Sequence, residues 1–223
     1  GPHIRDNTDL KRYMTAVMVA AGPTVIFSVW LFGWRSLALV VFCYIVGIII
    51  EMGFAVAKKE EVTEGMFVTC ILYPMILPPT LPFWMAAVGL AVALILGKEV
   101  FGGTGKNIFN PAIVGRVFLA VTFPGPMSSQ WVAPFSGLPG GFVHWSAGPD
   151  AATSATPLIA LKNGDPTALS SLFFGTTGGS LGETCDLLII LGGLFLIITR
   201  VANWRLPLAT ILGAVCVTSI LHL

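Results

Sequence analysis

Charge is what this sequence has least of: 10% of its 223 residues are Asp, Glu, Lys or Arg, while 55% are hydrophobic, against the roughly 25% charged residues of a soluble domain. Water is therefore not the main solvent of the folded chain. The formal net charge is only +1, which excludes a strongly basic nucleic-acid binder that works by displacing counterions. Paired cysteines are missing as well. Cys43, Cys70, Cys185 and Cys216 are scattered with no C-x-x-C spacing, so neither a zinc site nor a dithiol redox motif follows from them, and they read as buried apolar filler. His3, His144 and His222 stand equally far apart, and no pair at helical spacing is left to hold a haem or a metal. Gly1 replaces an initiator Met, and no basic segment followed by an apolar run and a small-residue cleavage site marks a signal peptide. With Leu223 inside a largely apolar run, the sequence is expected to be part of a longer protein.

What is abundant points to the bilayer. The 25 glycines and 15 prolines suit membrane helices, where neighbouring helices re-satisfy the backbone groups that these residues free. A bilayer core of about 30 Å needs about 20 apolar residues in helix. By that measure Tyr13 to Leu31 is a first span with a kink expected at Gly22-Pro23, and Ser36 to Ala57 is a second, stopped by Lys58-Lys59-Glu60-Glu61. Met66 to Leu77 is too short to cross comfortably and ends at Pro78-Pro79, as a half-helix or re-entrant arm; Pro82 to Leu96 follows, closed by Gly97-Lys98-Glu99. A fifth helix opens at Asn110-Pro111, with Asn as N-cap and Pro in the first turn, and runs only to Phe123, about 20 Å at 1.5 Å per residue. No sustained apolar run occupies 124–180. Leu181 to Thr199 makes a sixth span if Glu183 and Asp186 lie at its outer end, and a seventh begins at Leu206.

The short loops set the expected orientation. An inside N-terminus places Arg5, Lys11, Arg12, Lys58, Lys59, Lys98, Lys106, Arg200 and Arg205 on the cytoplasmic side and leaves only Arg35 and Lys162 outside. Residues 66–96 then enter and return as a hairpin, and 124–180 form a large periplasmic loop. Charges inside membrane spans are costly and usually pair or face a polar cavity. Glu51 and Arg116 are therefore candidate ion-pathway residues, although Glu51 is only six residues from the inner end of its span and a reach to the interface explains it equally. Glu183 and Asp186 are candidates for attracting a cation near the outer exit, against the commoner role of solvated helix-end carboxylates.

Two segments carry chemistry. The loop contains Asp150-Ala-Ala-Thr-Ser154-Ala-Thr156-Pro-Leu158, which resembles the recognition sequence of the transferase that joins FMN through its phosphate to a threonine hydroxyl. The match puts the acceptor at Thr156, with Asp150 and Ser154 in the motif. Such a phosphoester anchors the cofactor by its tail and leaves the ring free to exchange electrons, the protein supplying position and electrostatics. A Ser/Thr-rich loop yields S-A-T by chance too, so the tripeptide alone decides nothing. The second segment runs from Gly97 through Lys98, Glu99, Phe101, Gly102, Gly103, Gly105 and Lys106 to Asn110, Pro111 and Ala112. It is not a phosphate-binding P-loop, whose spacing needs Gly at position 100 and Ser or Thr at position 107, where Val and Asn stand. Gly102, Gly103 and Gly105 mark either an unwound segment lining a redox site or a plain cytoplasmic turn.

The run G-K-E-V-F-G-G-T-G-K-N-I-x-N-P-A, the opening Gly1 to Met14, Gly179-Ser-Leu-Gly-Glu-Thr184 and Asn203-Trp-Arg205 are similar to the NqrB subunits of the sodium-translocating NADH:quinone oxidoreductases. The likeness extends over essentially the whole chain. The RnfD subunits of the Rnf complexes share F-N-P-A and S-A-T-P-L, and Thr153 to Leu158 leans their way, while the Lys-bearing glycine run and the charged opening favour the quinone reductase. The resemblance implies an all-α polytopic fold of two inverted five-helix repeats, so that 1–123 would form the first repeat, 124–180 the loop with covalent FMN, and 181–223 the start of the second. The short, Gly/Pro-interrupted segments fit sites at a repeat interface. It also implies a bacterial inner-membrane location, a separate flavin transferase, and other subunits of a multi-subunit complex. Electrons would arrive from another subunit's flavin and pass to riboflavin and ubiquinone, coupled to export of sodium ion. A transporter without redox chemistry would share the broken helices and intramembrane charges, but it has no use for the loop motif.

Overall fold

The computed structural model describes residues 10–59, 64–128, 131–135, 137–146, 157–165, 167–183 and 185–221. Asp150, Ser154 and Thr156 lie outside them. Among the described residues the chain is all helical, with no strand. Helix α1 (Leu10–Phe32) is continuous through Pro23, so Gly22-Pro23 does not break it. Gly33, at φ 88°, turns the chain directly into α2 (Trp34–Lys58). One side of α2 carries Ser36, Leu39, Val40, Cys43, Gly47 and Glu51 inward, while Val41, Ile45, Ile49, Met52 and Val56 are exposed. The two sets repeat at helical spacing, one facing the bundle and the other free to face lipid.

Helix α3 (Gly65–Met75) is about 16 Å long at 1.5 Å per residue, and the chain reverses through 76–82 into α4 (Phe83–Gly97). The expected hairpin is thus present. Its return arm ends at Gly97, as the Gly97-Lys98-Glu99 stop anticipates, and a separate 3-10 turn, Glu99–Phe101, follows it. Helix α5 (Pro111–Thr122) begins as expected, with Asn110 Oδ1 accepting from the Ala112 N–H at 3.0 Å. It packs closely against α4: a methyl at Gly115 would sit 2.7 Å from the Gly89 carbonyl oxygen, 2.7 Å from the Tyr73 ring and 2.9 Å from Ala93 Cβ. Small residues let membrane helices approach this closely and gain dispersion contacts.

Past α5 come α6 (Pro124–Ser128), α7 (Pro157–Lys162) and α8 (Leu169–Phe174), all short, then α9 (Asp186–Ile198) and α10 (Arg205–Leu221). Helix α9 starts five residues later than the sequence suggests, with Leu181 to Glu183 in a turn ahead of it. Its Gly192 rests on Ala20 of α1. Helix α10 has no buried residue. Among the described residues three helical stretches are long and apolar enough to cross a membrane, Lys11–Phe32, Trp34–Lys58 and Phe83–Phe101, while α3, α5, α9 and α10 are shorter apolar helices. This is a polytopic membrane protein.

Polar contacts distinguish the two ends of the bundle. At one end Lys11 meets Glu64 at 3.4 Å, and Lys58 and Glu99 pair. At the other, Arg35 donates from both Nη atoms to the Pro79 and Leu81 carbonyls and lies over the Phe83 ring. There the α2 N-terminus is capped by backbone, the Trp34 and Arg35 N–H groups donating to the His144 and Trp145 carbonyls at 3.1 and 2.7 Å.

Candidate functional site

The first charged centre is buried where α2 and α4 end together. Glu51 Oε1 accepts from Lys98 Nζ, and the two side chains are only 6% and 3% exposed. Glu51 therefore does not reach the interface; it turns inward to a cation that hydropathy places outside the apolar run. Two turns further along α2, Lys58 Nζ donates to Glu99 Oε2 at 2.6 Å and to the Glu99 carbonyl at 3.0 Å. Four charges thus form two ion pairs, and both acids are buried. Lys58, Lys98 and Glu99 were missed as members of a site because each borders an apolar run. The signal available was the burial of Glu51 in its span, which demands a cation.

This charge cluster holds the base of the glycine-rich loop. The Phe101 and Gly103 N–H groups donate to the Lys98 carbonyl, Gly102 N–H to the Glu99 carbonyl, and Gly105 N–H to Asn107 Oδ1. Gly102, Gly103 and Gly105 have φ of 101°, 90° and 85°, values that glycine alone adopts without strain. Space is open around the missing Cβ atoms of Gly103 and Gly105, and the loop lies largely at the surface. Several of its amides are thus engaged within the turn.

The second centre brings together three of the residues singled out in the sequence. Arg116 Nη1 donates to Glu183 Oε1 at 2.6 Å across 67 residues of chain, and Asp186 opens α9 beside them. Glu183 is delivered by a short strip of backbone pairing: the Leu181 N–H donates to the Leu77 carbonyl at 3.1 Å and the Gly182 N–H to the Met75 carbonyl at 2.8 Å. Gly182 fits there because a methyl would strike Met75 Cβ at 2.8 Å.

A cavity of about 330 Å³ opens at this pair, bordered by Arg116, Glu183, Asp186, Trp131, Pro157 and the run Thr177 to Ser180, with Leu172 beside them. Pro157 is the residue after Thr156. Ser180 lies in the wall with its Oγ shut off from solvent and without a hydrogen-bond partner among the described residues. Glu183 also borders a larger cavity of about 450 Å³, mostly apolar, between α1, α3, the start of α5 and α9, with Thr24 and Asn110 among its few polar side chains. Glu183 thus borders both cavities, and Arg116 borders the smaller one. No cluster of three or more His, Cys, Asp or Glu able to hold a metal ion occurs among the described residues.

Comparison with known proteins gives the family. Residues 1–223 match the profile of the NQR2, RnfD, RnfE family. The B subunit of the Na(+)-translocating NADH-quinone reductase of Ectopseudomonas mendocina is 35% identical, the match covering 99% of this chain and 64% of that protein. The protein of the same name from Klebsiella pneumoniae is 31% identical over 99% of this chain and 65% of its own length, and that of Yersinia pestis 38% over 77% and 41%. The chain therefore spans slightly less than two thirds of the curated relatives it matches along its whole length. With a match over all its residues and an all-helical membrane fold, the chain belongs to the NQR2, RnfD, RnfE family.

Proposed function

We propose that this chain is the flavin-bearing membrane subunit of a sodium-translocating NADH:quinone oxidoreductase, with FMN held as a phosphoester on Thr156. The observation that carries the reading is the position of Pro157. A cofactor tethered at the preceding residue would start within one residue of the cavity that Pro157 borders. The residues present fit the group. The cavity of about 330 Å³ is within the roughly 300–1,000 Å³ of small-molecule sites. Arg116 offers a guanidinium to an anionic phosphate or ring edge. Trp131 and Leu172 supply apolar surface beside the charged groups.

FMN bound there would supply the capacity to accept electrons from a partner's flavin and release them toward quinone. The chain's own task is to fix the ring's place and set the charge around it. Thr156 holds the tail; α5 and the 177–183 segment hold the walls. On this reading a flavin transferase loads Thr156 with the help of Asp150 and Ser154. Riboflavin, ubiquinone, sodium ion and the remaining subunits are the further partners. The membrane is a bacterial inner membrane, with the N-terminus cytoplasmic and the loop 124–180 periplasmic.

The acceptor hydroxyl is the decisive atom. Thr156→Ala and Thr156→Val remove it and are expected to abolish covalent flavin while membrane insertion persists. In-gel fluorescence of the denatured protein, after expression with the transferase, reads this directly, with mass spectrometry of the loop peptide as the second measurement. Flavin persisting on Thr156→Ala protein refutes the assignment. Asp150→Ala should lower loading without removing the acceptor.

A further inference from the structure

Arg116 and Glu183 are not a loose surface pair, although their side chains keep 32% and 49% exposure toward the cavity. Arg116 follows Gly115, which is locked against the Gly89 carbonyl of α4, and precedes by one turn Leu119, which is fully buried. Glu183 is fixed by the backbone bonds of Leu181 and Gly182 to the chain at the end of α3. Two rigid elements thus hold a cation and an anion at one cavity wall, where Asp186 adds a second carboxylate.

We propose that Arg116 and Glu183 form an opposed electrostatic pair that sets the reduction potential of the flavin in this cavity, Arg116 favouring the reduced ring and Glu183 limiting that effect. The inference rests on the assignment of FMN to Thr156. Two-electron reduction of the ring near neutral pH takes up two electrons and one proton, so one net negative charge is added. A guanidinium at the wall lowers the energy of that charge. The carboxylate hydrogen-bonded to it cancels part of its field. Without the Arg116 charge, two carboxylates face the ring; without the Glu183 charge, the guanidinium acts uncompensated. The two substitutions therefore move the potential in opposite directions. A bridge with only a structural role would respond alike to loss of either partner.

The test uses the full-length protein, expressed with the flavin transferase, purified in detergent and titrated with dithionite as electron donor against indicator dyes. Covalent flavin on each variant is first quantified by in-gel fluorescence. Arg116→Gln is expected to shift the reduced-to-oxidised ratio at least tenfold toward the oxidised ring, a midpoint lower by about 30 mV for a two-electron couple. Glu183→Gln is expected to shift it at least tenfold the other way. Arg116→Lys, which keeps the charge, should retain most of the native potential. Flavin-loaded variants with unchanged potentials, or with shifts of the same sign, overturn the proposal. Should Arg116→Gln fail to fold, Glu183→Gln decides alone: a raised potential supports the pair, and an unchanged or lowered one refutes it. Absence of covalent flavin from the wild-type chain refutes the Thr156 assignment and the proposal with it.

Discussion

Neutralising Glu51 should be among the most damaging single changes in this protein. Its carboxylate and the Lys98 ammonium are 6% and 3% exposed, so each is stable in place only because of the other. Glu51→Leu leaves a cation buried without a counter-charge, and Lys98→Met leaves the anion. Breaking a buried pair from one side costs about 3–5 kcal/mol, whereas replacing both partners with apolar residues of similar volume is often neutral or stabilising. The double variant Glu51→Leu/Lys98→Met is therefore expected to be more stable than either single variant, with a coupling energy of about 3 kcal/mol or more in a double-mutant cycle. Retention of the monodisperse peak in size-exclusion chromatography after graded heating in detergent ranks the four proteins. Single variants as heat-resistant as the wild type, or a double variant as damaged as the sum of the singles, would refute the reasoning. The same double variant separates structure from ion conduction. If it folds and still supports sodium-coupled transport in the assembled complex, Glu51 is a packing residue; if it folds and transport is lost, Glu51 belongs to the ion path.

The glycine-rich loop and the orientation each give a simpler test. Gly103→Ala and Gly105→Ala place a methyl in open space at φ of 90° and 85°, so their folding cost should stay at about 1–2 kcal/mol and both variants are expected to fold; if the loop lines a redox site they slow quinone reduction without loss of flavin, and if it is only a turn any loss of activity tracks loss of folded protein. Normal quinone reduction by well-folded protein at both positions would remove the loop from the mechanism. Lys59 and Lys162 are both exposed, so cysteines placed there, in a background cleared of Cys43, Cys70, Cys185 and Cys216, should differ in labelling by an impermeant thiol reagent applied from the periplasm. Reaction at position 162 and none at 59 is the expected pattern, and the reverse would overturn the orientation.

Much of the helix order could be read from the sequence because hydropathy and backbone chemistry are local. Asn110-Pro111 announces the start of α5 through a cap and a tolerated Pro, and that start is where the structure has it. The α3–α4 hairpin follows from Pro78-Pro79. What could not be read was which charges would be buried. Lys98 and Glu99 flank an apolar run and count as loop residues in any hydropathy window, yet the 3-10 turn at Glu99–Phe101 folds them back beneath α2. That depends on Gly97, where a methyl would press on Pro111 Cα at 3.1 Å, and on a partner, Glu51, 47 residues earlier. Arg116 and Glu183 show the same difficulty over 67 residues. Each was visible as a suspicious charge, but their meeting is set by how 180–183 pairs with the end of α3.

The two charged centres are joined by the same piece of structure. Helix α5 starts against Gly97, beside Lys98, and carries Arg116 to the cavity, and along this length its contact with α4 runs over Gly89, Ala93 and Gly115. Tyr73 and Leu119 fill the space that these small residues leave, and a contact packed this closely leaves little room for displacement. A shift of α5 relative to α4 that opened the Arg116–Glu183 pair would therefore also move the chain at Pro111 and Gly97, where the buried Glu51–Lys98 pair holds its position. The high glycine content is thus more than a mark of membrane composition. It places the backbones of α4 and α5 close enough that the buried ion pair at one end and the cavity wall at the other share one rigid support.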